Sequence, residues 1–103
     1  MMRFLARAAV LCIAISSCSK NPQSTEFRVG LVTPGSIADA AWNSGAYTGL
    51  QQIHDSLAVP VSHVEARTPA EQEEALRNYA AQGYTLVFGH GFEFQGAAER
   101  VSE

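Results

Sequence analysis

From residue 27 onward, short apolar runs alternate with longer stretches in which apolar residues recur every three or four positions. That alternation predicts βαβ units and a parallel sheet. Phe27 to Thr33 (FRVGLVT) is short, rich in apolar and β-branched residues and closed by Pro34-Gly35, so it reads as a first strand. Between Ala40 and Leu57 the residues Ala41, Trp42, Gly45, Ala46, Gly49, Leu50, Ile53 and Leu57 form one stripe. This predicts an amphipathic helix, with Asp39 just ahead of it as a capping acceptor. Val59 to Ala66 (VPVSHVEA) alternates as a second strand whose early proline suits a sheet edge. Thr68-Pro69-Ala70-Glu71 then carries the clearest helix start: a capping threonine, proline at the first helical position and a glutamate to close a capping box. That helix runs to about Gln82, buries Ala75, Leu76 and Tyr79, and ends at Gly83. Tyr84 to Phe88 (YTLVF) is a third strand, so apolar that both its faces are expected to be covered. After the loop Gly89 to Phe94, a helical pattern from Gln95 to Ser102 has no stop signal, so the expectation is an unfinished helix in a piece of a longer protein.

Right-handed crossovers place the second strand on one side of the first, and the commonest doubly wound arrangement places the third on the other, giving the order 2-1-3 in an α/β fold. Ligands in such sheets bind beyond the carboxyl ends of the strands where the order reverses. Here that means the loops 33–43 and 89–94. The first contains Pro34-Gly35-Ser36, Asp39 and the pair Trp42-Asn43, and the second contains Gly89, His90, Gly91, Phe92 and Phe94. Glycines let backbone approach a ligand, and aromatic rings offer flat stacking surfaces. Each residue also has a packing role open to it. Trp42 can be core, Asp39 a cap, Asn43 a solvated first-turn residue, His90 a loop residue, and Phe92 and Phe94 can seat the loop on the next helix.

The residues before the domain change where such a site would operate. A basic opening (Met1 to Arg7), an apolar run (Ala8 to Ile15) and Ser16-Ser17 precede Cys18, the order of a secretory signal peptide. The apolar run is far shorter than the roughly 20 residues that span a bilayer. Ile15-Ser16-Ser17-Cys18 resembles a lipobox, in which the thiol receives a diacylglyceryl group and becomes the new N-terminus. Residues 1–17 are thus a signal, 18–26 a lipidated cysteine with a polar tether, and 27–103 the folded part. Cys12 leaves with the signal, so no disulfide framework is available. The export of Arg3 and Arg7 out of the mature chain leaves five basic against ten acidic residues, a formal charge of −5 that argues against nucleic acid as a partner.

Catalytic signatures are absent: there is no Gly-x-Ser-x-Gly elbow and no Gly-x-x-x-x-Gly-Lys loop, and the one Gly-x-Gly follows the third strand. His54, His63 and His90 fall on a helix, an edge strand and a loop without ligand spacing, so no metal or cofactor is expected. Glu71, Glu73 and Glu74 suit the first turn of a helix, where their charge complements its dipole.

RVGLVTPGSIADAAWNSGAYTGLQQI, followed by NYAAQGYTLVFGHGFEFQGAAERV, resembles the basic membrane protein (BMP) family of PnrA-like solute-binding lipoproteins. The resemblance covers nearly all of residues 27–103. It implies a two-lobed periplasmic-binding-protein type I fold, of which this stretch is the first part of lobe one, in a non-enzymatic receptor that delivers a nucleoside or similar heterocycle to an ABC permease. By the same resemblance Asp39 stands at the family's aspartate, Trp42 at its base-stacking aromatic and Asn43 at the following asparagine, while Gly89, Gly91 and Phe92 match the second loop. The chain departs at Pro34, where many nucleoside receptors of the family resemble one another in having an aspartate for ribose hydroxyls. A regulatory protein that senses a ligand on the same fold without transport is the alternative.

Overall fold

The computed structural model describes residues 26–103; the export signal, Cys18 and the tether up to residue 25 lie outside them. The elements are β1 (Val29–Thr33), α1 (Trp42–Leu57), β2 (Val61–Glu65), α2 (Pro69–Ala81), β3 (Leu86–Gly89) and α3 (Gln95–Ser102), with one 3-10 turn at Phe92–Phe94 leading into α3. The three strands are parallel in the order β2-β1-β3. The architecture is therefore α/β with the 2-1-3 order that the crossovers predict. β1 is central and every one of its residues is buried.

Side chains alternate across a strand, so β1 feeds two cores. Val29 and Leu31 pack with Leu50 of α1, joined by Ala46, Ile53 and Val61. On the opposite face Val32 packs with Ala66, Leu76, Tyr79, Phe94 and Ala97, joining α2 and α3 to the sheet. Gly30 is required on that face, because a Cβ there would lie 3.1 Å from the ring of Tyr79. The Tyr79 hydroxyl donates to Ser62 Oγ at 3.0 Å, and burial raises the Tyr79 pKa above its ordinary value.

The helix boundaries follow local chemistry. Thr68 Oγ1 accepts from the Glu71 N–H at 3.3 Å, and Glu71 Oε2 accepts from the N–H of Thr68 at 3.0 Å and of Arg67 at 2.8 Å. These bonds hold the Glu71 carboxyl below its ordinary pKa. Thr68→Ala is expected to lower stability by about 1 kcal/mol, since it strips one N-terminal N–H of its acceptor. Comparison of urea midpoints for the two proteins measures this. At the other end of α2, Gly83 (φ 75°) turns the chain so that the Tyr84 N–H reaches Tyr79 O at 3.0 Å. Tyr84 is thereby taken up by the end of the helix, which explains why β3 opens at Leu86 rather than at Tyr84 as its apolar run predicts. Likewise β2 opens at Val61, because Pro60 has no N–H for the ladder, although its carbonyl accepts from Val29 at 3.0 Å.

One expectation is not met among the described residues. β3 is covered on one face only: Val87 joins the α2–α3 core, whereas Leu86 and Phe88, on the α1 face, remain 41% and 43% exposed. α1 packs over β1 and β2 and leaves the β3 side of that face open.

Candidate functional site

The loops after β1 and β3 meet at the reversal of strand order. Buried Thr33 ends β1 and fixes the first loop: its hydroxyl donates to Gly35 O at 2.7 Å and lies 2.8 Å from His63 Nε2 on β2. A hydroxyl has one hydrogen, so His63 Nε2 carries the proton of the second bond. Burial lowers the His63 pKa, with Glu65 opposing, and the edge of the Tyr47 ring system packs at 5.5 Å between centroids. A histidine with a depressed folded pKa is less stable protonated in the fold than out of it, so stability is lost as pH falls below about 6.5. This loss is expected in thermal unfolding at a pH above the range where carboxylates titrate, and His63→Gln is expected to abolish it.

Asp39 acts as the cap, from two residues before the helix-flanking Ala41. Oδ1 accepts from the N–H groups of Ala41 and Ser44, both at 3.0 Å, and Oδ2 from that of Asn43 at 2.8 Å. The three bonds lower its pKa to about 2. Ala40 pays for this wrap with a φ of 57°, a left-handed conformation unfavourable for a residue with a Cβ. Asn43 is buried, with Nδ2 against the Gly35 α-carbon.

The second loop is tied to the first strand by the His90 N–H, which donates to Val32 O at 2.9 Å. Gly91 (φ 122°) turns the chain, Phe94 drops into the core, and Phe92 points outward with 92% exposure. Between this loop and α1 lies a cavity of about 760 Å³, within the range of small-molecule sites. Trp42, Gly89, Gly91 and Phe92 line it, together with Leu31, Ala46, Leu50, Ile53 and Phe88. Trp42, the first residue of α1, is 64% exposed.

The structure thus brings four of the six sequence-derived residues to one cavity, and leaves Asp39, in the loop before α1, and Asn43, in the first turn of α1, out of its lining. Gly89 has a further reason to be glycine, since a Cβ would lie 2.8 Å from Phe94. Sequence reasoning assigned no site role to His90 or Glu93, both of which line the cavity. The signal was present for His90, because it continues the Leu86, Phe88 alternation of β3 onto the α1 face. Among the described residues no group of three or more His, Cys, Asp or Glu side chains is arranged to hold a metal ion. No described helix is long and apolar enough to cross a membrane.

Residues 27–103 match the Bmp family, described as ABC transporter substrate-binding protein PnrA-like. The chain belongs to this family. Bmp proteins are substrate-binding components rather than an enzyme class, and ABC substrate-binding proteins work outside the cytoplasm. An ABC transporter system solute-binding protein from Conexibacter woesei DSM 14684 shares the fold at a TM-score of 0.63 and 24% identity, covering 74% of this chain and 25% of that one. A transcriptional activator protein, med, of Bacillus subtilis (strain 168) is 28% identical over 93 residues, which make up 88% of this chain and 29% of the relative. The Bmp chain therefore spans between a quarter and a third of the length of these two proteins.

Proposed function

We propose that residues 27–103 form one wall of a solute-binding cleft, the first part of lobe one in a receptor that captures a nucleoside or similar planar heterocycle for an ABC permease. The observation that carries this reading is the exposed Trp42 ring at the edge of an apolar cavity of about 760 Å³, at the point where strand order reverses. Trp42 stacks on the ligand, Gly89, Gly91 and Phe92 shape the floor, and Asp39 and Asn43 order the loop that aims the indole. The protein binds without catalysis. Cys18 is the lipid anchor and residues 19–26 the leash that keeps the cleft near the permease at the outer face of the membrane.

Pro34 bears on the ligand. A proline ring stands where an aspartate would meet ribose hydroxyls, and the neighbouring Thr33 hydroxyl is already engaged with Gly35 and His63. The base is therefore expected to carry most of the affinity. Isothermal titration of the whole protein with nucleosides and their free nucleobases tests this: binding of both supports it, and binding of neither removes the substrate assignment. Incorporation of labelled fatty acid, abolished by Cys18→Ala, tests the anchor.

The likeness to a protein named as a transcriptional activator favours a second reading, in which the same cleft senses a ligand without transport. Gene deletion separates the two. Loss of labelled-nucleoside uptake supports the receptor, whereas altered transcription with uptake intact supports the sensor.

A further inference from the structure

The cavity is predominantly apolar, and besides the indole N–H of Trp42 the polar side chains on its wall are those of His90 and Glu93. Apolar pockets take their selectivity from such few polar groups. The His90 imidazole lies against the Trp42 indole, with ring centroids 4.4 Å apart and planes inclined by 31°. Its Nε2 is buried and has no hydrogen-bond partner among the described residues. A polar atom in that position is costly, and a partner that reached it would recover the cost. The bond from the His90 N–H to Val32 O holds the residue's backbone beside β1, and the ring's contact with the indole keeps it at the cavity wall.

From these observations we infer that His90 is a specificity-determining contact, which hydrogen-bonds the edge of a planar heterocycle stacked on Trp42. The inference rests on the receptor reading above and adds to it the group that distinguishes one flat ligand from another. A ligand entering against the indole parts the tilted pair and uncovers Nε2. That nitrogen donates as N–H or accepts as a bare ring nitrogen, according to the tautomer the ligand selects. A ring nitrogen or exocyclic amine is then favoured over a bare hydrocarbon edge of the same shape. Glu93 contributes differently, since its carboxylate folds back over Gly91 rather than onto the indole.

Titration calorimetry on the whole protein tests this with two probes: adenosine, whose base has a polar edge, and 1-methylindole, which is flat but offers no edge donor or acceptor. His90→Phe keeps a ring against Trp42 and removes the nitrogens. It is expected to weaken adenosine about tenfold or more, the effect of one lost hydrogen bond of about 1.4 kcal/mol, and to leave 1-methylindole unchanged. His90→Gln, which restores a donor and an acceptor, is expected to recover part of the adenosine affinity. Equal weakening of both probes would mean that the ring only shapes the pocket, and overturns the inference. So does undiminished adenosine binding by His90→Phe. Wild-type protein that binds neither probe overturns the receptor reading and this inference together, an outcome distinct from the other two.

Discussion

Phe94→Ala is expected to destabilise the fold by about 3–5 kcal/mol, the largest stability effect of any single substitution considered for this chain. Phe94 is 2% exposed and belongs to the cluster formed with Val32, Leu76, Tyr79 and Ala97, so its ring joins β1, α2 and α3. Truncation loses the burial of the ring and leaves a void that a sheet and two helices cannot all close at once. A typical domain is stable by only about 5–15 kcal/mol, so this is a large part of the whole. The consequence reaches the cleft. Phe94 sits against the α-carbon of Gly89, and its N–H donates to Gly91 O at 3.3 Å, so the ring is the foundation on which the floor loop rests. Urea unfolding of the whole protein measures the loss, and Phe94→Leu, which refills most of the volume, is expected to lose much less. An alanine variant within about 1 kcal/mol of the wild type would show that the loop and α3 are not seated by this ring.

The parts of the fold that could be read from the chain are those specified by local chemistry. The threonine, proline and glutamate at 68–71 and the glycine at 83 bound α2 closely, because the threonine and glutamate accept from free backbone N–H groups, the proline has no N–H to leave unpaired, and the glycine takes the left-handed turn. The order 2-1-3 followed from the handedness of crossovers together with the commonest doubly wound arrangement, neither of which depends on side-chain detail. The coverage of β3 was not legible in the same way. An apolar run states what a strand's faces favour, not which element supplies the cover, and Leu86 and Phe88 are left uncovered by the described residues. The site divides similarly. The meeting of the loops after β1 and β3 followed from topology, whereas the separation of Trp42 from Asp39 depends on the left-handed turn at Ala40. Alanine gives no sign of such a turn, as glycine or asparagine would. The contact between Trp42 and His90 joins residues 48 positions apart in the chain and exists only once β3 lies beside β1. The tie from Thr33 to His63 is likewise a product of pairing, since His63 stands opposite Leu31, two positions before Thr33 on the same face of the sheet.

Trp42→Ala is expected to reverse the pattern of Phe94→Ala, with binding lost and stability kept. The indole is 64% exposed and belongs to neither buried cluster, so its removal leaves no core void and is expected to change stability by no more than about 0.5 kcal/mol. The cap on α1 survives, because the acceptors are on Asp39 and the donors are backbone N–H groups of Ala41, Asn43 and Ser44. What disappears is the flat surface at the mouth of the cavity. Stacking of a heterocyclic base on an aromatic side chain contributes roughly 1–3 kcal/mol, so affinity for adenosine or its free base is expected to fall by about tenfold to a hundredfold. Trp42→Phe, a smaller ring in the same place, is expected to lose only part of that. The indole also supports His90 in the ligand-free protein, so in the alanine variant the imidazole is freed from its aromatic neighbour while its backbone stays tied to Val32. Titration calorimetry together with an unfolding curve on the same sample reads both quantities. Full affinity at unchanged stability would remove the stacking role from Trp42, and loss of affinity accompanied by equal loss of stability would assign the residue to packing instead.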